Sequence, residues 1–164
     1  MVRREGTTTM QQRLTNPAML FPETFEAVQS LSASAAKAEL PEKTVDLVHL
    51  RASQVNGCSL CVDMHARMAK KRGETDQRLF AVAAWRDAPF FTDAERAALA
   101  LTEAVTRLAD RTDAVPDGVW DDAARNYGEL QLGALLVQIA TINVWNRLNV
   151  PIRQEAGVVP LPEH

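Results

Sequence analysis

The spacing of apolar residues is the feature that most restricts how this chain can fold. Apolar side chains recur at intervals of three to four residues, the spacing of one α-helical face, and Phe25, Val28 and Leu31 are a clear example. The alternation of apolar and polar residues that is typical of β-strands is not found along the sequence. The sequence therefore predicts an all-α fold.

Proline, glycine and capping residues divide this pattern into about six to seven helices. Pro41 opens one helix, because a missing N–H costs nothing in the first turn, and Gly57 ends it by tolerating a positive φ. Thr92, followed three residues later by Glu95, forms a capping-box pattern at the start of another helix. The predicted helices cover residues 22–38, 41–56, 58–71, 75–86, a stretch from 92, 116–127 and 130–148.

The length of the chain, 164 residues, suits a single domain with its own apolar core. Residues 1–14 are polar and are predicted to form a disordered extension. Residues 15–150 carry the helical pattern and are predicted to form the domain. Residues 151–164 contain three prolines and are predicted to form an extended tail.

Charge and hydropathy argue against nucleic acids and membranes as partners. The net charge of −3 provides no basic surface for phosphates. The N-terminal stretch lacks the apolar segment of a secretory signal. The most apolar segment, residues 130–144, contains polar side chains and is shorter than the ~20 apolar residues that a bilayer crossing needs. We therefore expect a cytoplasmic protein that binds neither nucleic acid nor a membrane.

The candidate site contains both cysteines of the chain and one of its three histidines. Cys58, Cys61 and His65 are spaced i, i+3 and i+7, which places them on one face of a helix. Cys58 lies in the first turn, where free backbone N–H groups and the helix dipole favour a thiolate. His65 follows Cys61 by one turn and can accept its proton. The pattern indicates a redox site with Cys61 as the better-served nucleophile.

Redox chemistry, zinc binding and inert packing are the three interpretations of the cysteine pair, and redox chemistry is favoured. A structural disulfide between residues three apart closes almost no loop, so it would stabilise the chain little. A zinc site would need a fourth ligand, Asp46 or His49, and three ligands on one helix fit tetrahedral geometry poorly. Inert packing is the third possibility. In a reducing compartment a C-x-x-C pair favours catalysis, and we expect neither a metal nor an organic cofactor.

Two further polar residues on the preceding helix are expected near the thiols. Asp46 and His49 are three residues apart and share a helix face that must fold back toward Cys58. A carboxylate there is suited to orient His65, as the third group of a triad does. The alternative for Asp46 is a solvated side chain. His49 is expected to be a structural or supporting residue that makes one hydrogen bond.

The segment L-V-H-L-R-A-S-Q-V-N-G-C-S-L-C-V-D-M-H-A, residues 47–66, resembles the AhpD-like alkylhydroperoxidase group of the carboxymuconolactone decarboxylase superfamily. The resemblance extends through G-E-T-D-Q-R-L-F, A-A-W-R-D-A-P-F-F-T and A-E-R-A-A-L-A-L-T-E-A, and more weakly through N-V-W-N-R-L-N-V. It covers roughly residues 15–150 and implies a single-domain AhpD-like helical fold.

The resemblance also implies a role for each residue of the site. The family motif is an acidic residue, eleven intervening residues and then C-x-x-C-x-x-x-H, which places the acidic position on Asp46. It implies that Cys61 is attacked by peroxide to form a sulfenic acid, that Cys58 resolves it to a disulfide, and that His65 passes protons. This chain has Asp46 where the family usually has glutamate, and Leu60 where some members have a histidine.

The same resemblance implies the substrate and partners of a thiol-dependent peroxidase. These are a hydroperoxide, a lipoylated or thioredoxin-like protein that supplies a reducing dithiol, and further copies of the chain in a homo-oligomer, a trimer or hexamer. One alternative is a non-catalytic redox-sensing oligomeric protein. Another is a decarboxylase-like member of the superfamily, but those members lack the cysteine pair that Cys58 and Cys61 form here.

Overall fold

The computed structural model describes residues 11–159, and the helical domain within them confirms the predicted all-α class. These residues form eight α-helices and three short 3-10 helices, with no strand among them. The helices are α1 Pro17–Leu20, α2 Pro22–Ser34, α3 Glu42–Asn56, α4 Ser59–Lys71, α5 Asp76–Ala81, α6 Asp93–Thr106, α7 Asp117–Asn126 and α8 Glu129–Asn149.

The helix count exceeds the six to seven predicted because a short helix, α1, precedes α2. Its sequence signal is Asn16 before Pro17: the Asn16 side chain accepts a hydrogen bond from the Ala18 N–H, and proline occupies the first helical position. Two predicted helices are also shorter than expected. The chain continues beyond α2 and α5 as 3-10 turns at residues 36–38 and 82–84.

Helix α3 lies at the centre of the packing and contacts α4, α6 and α8. One core cluster includes Leu47, Leu50 and Leu99, and a second includes Val48 and Leu135. Each of these side chains is at most 1% exposed. Because apolar residues from successive turns of α3 point into both clusters, the helix that leads into the cysteine pair is held on several sides.

The turn between α3 and α4 sets the position of the cysteines. Gly57 adopts φ 67°, a left-handed conformation that glycine tolerates best. The Cys58 backbone N–H donates a hydrogen bond to the Ser53 carbonyl oxygen at 3.0 Å. Cys58 then has extended backbone angles and becomes the N-cap of α4. The reversal therefore brings α4 back against α3 and places the cysteine pair where the two helices join.

A buried carboxylate links α6 to α3 and to the segment after α5. Glu103 is 5% exposed and accepts hydrogen bonds from Arg51 Nε at 2.7 Å, Trp85 Nε1 at 2.9 Å and Arg86 Nη1 at 2.7 Å. Both carboxylate oxygens are thus occupied, as a buried charge requires. Helix periodicity does not identify the partners of Glu103. Its role as an anchor between helices is apparent only from the packing.

The chain ends of the described region lie against each other. The Arg13 backbone N–H donates to Ile152 O at 2.9 Å, residues 151–153 form a turn, and the Ile152 side chain is buried. Residues 1–10 and 160–164, parts of the predicted extension and tail, lie outside the described residues. Within residues 11–159, no helix combines the length and apolar character needed to cross a membrane.

Candidate active site

The two cysteines are joined by a disulfide at the N-terminus of α4. The Cα atoms of Cys58 and Cys61 are 5.3 Å apart, and the Cys61 backbone N–H donates to the Cys58 sulfur at 3.3 Å. The sulfur of Cys58 therefore receives a hydrogen bond at the positive end of the helix dipole, a setting that stabilises a thiolate once the bond is reduced. Both cysteine residues are buried, at 2% and 1% exposure.

A cavity of about 480 Å³ reaches the disulfide from the Cys58 side. Its wall includes Cys58 but not Cys61; the lining residues are Gly57, Cys58, Ser59, Asn149, Val150, Arg153, Gln154, Glu155 and Ala156. Val159 packs against Cys58, Leu60 and Cys61, and its carbonyl accepts a hydrogen bond from Arg67. The C-terminal segment thus forms one wall of the cavity and covers part of the cysteine cluster.

His65 follows Cys61 on α4 and is enclosed, with 7% exposure. Neither ring nitrogen has a hydrogen-bond partner within the described part of the chain. Burial, together with the nearby His49 and Arg72, lowers the pKa of His65 to about 3. The ring is therefore neutral at physiological pH in the disulfide form. A thiolate formed beside it after reduction would raise its pKa and favour its protonated form.

His49 packs edge-on against His65, with ring centroids 4.9 Å apart. Its Nε2 lies 3.0 Å from Gln138 Oε1. The Gln138 amide nitrogen donates to the carbonyl of Ser32, which fixes the amide orientation, so His49 Nε2 must carry the hydrogen. Burial lowers the pKa of His49 to about 4. The structural hydrogen bond expected for this residue is therefore present.

Asp46 is buried at 4% exposure, and its Oδ1 lies 2.5 Å from Arg72 Nη1. Its second oxygen has no hydrogen-bond partner among residues 11–159. Burial raises the pKa of Asp46 to about 6, although Arg72 opposes the change. In the disulfide form the structure does not join Asp46 to His65 by a hydrogen bond; the carboxylate instead balances the arginine charge that acts on both histidines.

One hydrogen bond to the cysteine sulfurs was not predicted from the sequence. The side-chain Nδ2 of Asn149, the last residue of α8, donates to Cys61 Sγ at 3.3 Å. Asn149 falls in the N-V-W-N-R-L-N-V segment that carries the weaker end of the family resemblance. The family resemblance of that segment was the one indication that it belongs to the site. The spacing of its residues does not predict a hydrogen bond from Asn149 to a cysteine 88 residues away.

No group of three His, Cys, Asp or Glu residues within positions 11–159 is arranged to hold a metal ion. His49 and Asp46, the residues considered as additional zinc ligands, hydrogen-bond Gln138 and Arg72 respectively. The site contains a disulfide that can be reduced to a dithiol, the amide donor of Asn149 and the neutral imidazole of His65.

The buried titratable groups predict a loss of stability in acid. His49 and His65 have folded pKa values below their usual 6.5, so below that pH the unfolded chain binds two protons that the folded chain does not. Asp46, raised from 3.8 to about 6, acts in the opposite direction because the folded chain binds its proton first. The net difference near pH 5 is roughly one proton, or on the order of 1 kcal/mol of unfolding free energy per pH unit.

Urea unfolding of the disulfide form at pH 6 and pH 5 checks this expectation. We expect lower stability at pH 5, and we expect His65→Leu to remove most of the slope because it removes one of the two destabilising protons. A wild-type stability that is constant or rises on acidification would show that the histidines are not held neutral.

Comparison with known proteins places this geometry in a family. The model of the carboxymuconolactone decarboxylase family matches residues 22–104, which include both helices of the site. The chain belongs to the carboxymuconolactone decarboxylase family. Within this family, structural similarity to ATU0492 from Agrobacterium tumefaciens indicates the AhpD-like group. ATU0492 is a protein of unknown function that is provisionally assigned as the antioxidant defence protein AhpD. Its crystal structure has a TM-score of 0.82 and 34% identity, and the match covers 91% of this chain and 100% of ATU0492.

Other proteins are similar to this chain over most of its length. YdfG of Bacillus subtilis, an uncharacterized protein, is 33% identical over 83% of this chain and 91% of its own length. YnjA of Escherichia coli, also uncharacterized, is 31% identical over 71% of this chain and 63% of its own length. The apo debrominase Bmp8 shares the fold, with a TM-score of 0.69 at 21% identity over 84% of this chain and 73% of Bmp8. The family match and the similarity to ATU0492 confirm the AhpD-like resemblance.

Proposed function

We propose that this family member is a thiol-dependent peroxidase that reduces hydroperoxides with the Cys58 and Cys61 pair. The observation that carries the proposal is a disulfide at a helix N-terminus, followed one turn along the same helix by a neutral His65 whose ring nitrogens have no hydrogen-bond partner within residues 11–159. Such a ring can take the proton of a neighbouring thiol and pass it on, because the thiolate that forms beside it stabilises the protonated ring. The provisional antioxidant assignment of ATU0492, at 34% identity, supports the same chemistry.

The oxidative half begins from the reduced pair. His65 takes the Cys61 proton, and the thiolate attacks one oxygen of the hydroperoxide. The O–O bond breaks, the leaving alkoxide takes the proton from His65 to become an alcohol, and Cys61 becomes a sulfenic acid. The Cys58 thiolate then attacks the Cys61 sulfur and the S–O bond breaks. The leaving hydroxide takes the proton that the Cys58 thiol lost on ionising and departs as water. The disulfide holds the two-electron oxidation.

The reductive half uses an external dithiol, which we propose to be a lipoylated or thioredoxin-like protein. Because the cavity wall includes Cys58 but not Cys61, the incoming thiolate attacks Cys58. The S–S bond breaks, its electron pair leaves on Cys61 as a thiolate, and a mixed disulfide forms on Cys58. The second thiol of the reductant attacks that mixed disulfide and releases Cys58.

Coupled turnover tests the proposal directly. The protein is mixed with hydrogen peroxide or cumene hydroperoxide and with dihydrolipoamide, and peroxide loss is measured against the same protein alkylated at both cysteines. We expect catalytic consumption only by the unmodified protein. A disulfide that forms once and is never turned over would favour the redox-sensing alternative, and equal rates in both samples would exclude the enzyme.

Neutralising Asp46 is expected to slow the reaction. Without this carboxylate, the Arg72 charge that already disfavours protonation of His65 is no longer balanced, so His65 becomes a weaker proton acceptor. We expect Asp46→Asn to lower the rate of peroxide reduction by about tenfold, the effect of one charge on a nearby pKa. The matched control is Asp76→Asn, which removes an exposed aspartate paired with Lys70. Equal rates for both variants would remove Asp46 from the site.

A further inference from the structure

A chain of three hydrogen bonds ends on the sulfur of Cys61. The Ala18 backbone N–H donates to Asn16 Oδ1 at 2.9 Å, Asn16 Nδ2 donates to Asn149 Oδ1 at 2.7 Å, and Asn149 Nδ2 donates to Cys61 Sγ at 3.3 Å. The chain connects the N-terminus of α1 with the C-terminus of α8 and the first turn of α4. Asn149 itself is buried, at 6% exposure.

The direction of each bond follows from the chemistry of its partners. A backbone N–H can only donate, so the Asn16 oxygen must face Ala18 and its NH2 group must face Asn149. The NH2 group can only donate, so the Asn149 oxygen must face Asn16. The remaining NH2 group of Asn149 is thereby directed at Cys61. The donor is oriented before any charge appears on the sulfur.

We propose that Asn149 is a catalytic residue that stabilises the Cys61 thiolate, and that Asn16 is the positioning residue that fixes its orientation. The proposal rests on the proposed peroxidase function. A hydrogen bond to a charged acceptor is stronger than one to a neutral acceptor, so this donor favours the thiolate over both the thiol and the disulfide. A preoriented donor of this kind needs no reorganisation when the charge forms.

The same donor serves both halves of the cycle. In the oxidative half it increases the fraction of Cys61 present as thiolate, the form that attacks peroxide. In the reductive half an external thiolate bonds to Cys58, the S–S bond breaks, and the electron pair leaves on Cys61, where Asn149 stabilises it. The backbone N–H of Cys61 supports the other sulfur. Each cysteine therefore has its own donor.

The test is a titration of Cys61 in the Cys58→Ser background, which leaves one thiol in the chain. Ionisation is followed by the ultraviolet absorbance of the thiolate, and reactivity by the rate of alkylation with iodoacetamide at neutral pH. We expect Asn149→Leu to raise the titration midpoint by about one pH unit and to slow alkylation by about tenfold. Asn143→Leu, which removes a buried asparagine of the same helix that contacts no sulfur, is the control and should leave both unchanged.

A second variant tests the positioning role and guards against a folding defect in the first. Asn16→Asp keeps the oxygen that caps α1 but removes the donor to Asn149 and favours a flipped Asn149 amide. We expect a rise in the Cys61 midpoint in this variant too. An unchanged midpoint in Asn149→Leu would overturn the proposal, and if that variant does not fold, an unchanged midpoint in Asn16→Asp would do so. The titration contains no peroxide, so its result is independent of whether the protein reduces peroxide.

Discussion

Cys61→Ser is expected to abolish dithiol-dependent peroxide reduction, with a loss of at least ~10³-fold. A serine hydroxyl keeps the size and position of the thiol, but it is not ionised near neutral pH and does not form a sulfenic acid. Cys61 is also the sulfur that receives the Asn149 hydrogen bond and precedes His65 by one turn. Removing it therefore removes the atom on which the rest of the site acts.

Cys58→Ser is the informative comparison for that loss. Serine remains a good N-cap for α4, so the local fold is retained. Cys61 in this variant can still be oxidised once, but no neighbouring thiol resolves the sulfenic acid. We expect one equivalent of peroxide to be consumed quickly, followed by little turnover, and we measure both phases by peroxide loss. A Cys61→Ser variant that keeps more than about a tenth of the wild-type rate would contradict the assigned roles.

Glu103→Gln is expected to cause the largest loss of stability among conservative single substitutions, about 3 kcal/mol. Burial alone would raise the pKa of Glu103, but hydrogen bonds from Trp85, Arg86 and Arg51 outweigh it and lower that pKa. The residue is thus held as a carboxylate. Glutamine keeps the shape but leaves the Arg51 guanidinium, which is 13% exposed, without its counter-charge. Losing one member of a buried charge group is costly because the other stays desolvated.

The measurement is the urea midpoint and slope at neutral pH for wild type and variant. Asp122→Asn is the matched control, because it removes the carboxylate of an ion pair with Arg125 in which both side chains are more than half exposed. We expect that control to change the free energy of unfolding by less than about 1 kcal/mol. If the two substitutions had equal effects, Glu103 would not be the anchor that its contacts indicate.

Local patterns predicted the fold class and the helix that carries the cysteine pair. The capping box at Thr92 and Glu95 is present, and the helix break at Gly57 is where the sequence placed it. Cys58 caps the N-terminus of the predicted helix, and Cys61 and His65 lie within it. These features depend on neighbouring residues only, so a single sequence contains enough information to predict them.

Contacts between distant segments could not be predicted in the same way. Asp46 shares a helix face with His49, which suggested a role beside His65, yet its hydrogen bond goes to Arg72 at the end of the next helix. Asn149 reaches Cys61 from the last helix of the fold. In both cases the hydrogen-bond partner depends on how separate helices pack against each other. Helix periodicity defines a face but does not identify the side chain that lies opposite it.

Trapping the sulfenic acid tests most directly whether Cys61 is the residue that reacts with peroxide. The reduced Cys58→Ser variant is treated with one equivalent of hydrogen peroxide in the presence of dimedone, and the adduct is located by peptide mass spectrometry. We expect a dimedone adduct on Cys61, and none on Cys58 in a Cys61→Ser variant treated in parallel. An adduct that forms as fast on Cys58, or a Cys61 that stays unmodified, would contradict the role assigned to Cys61.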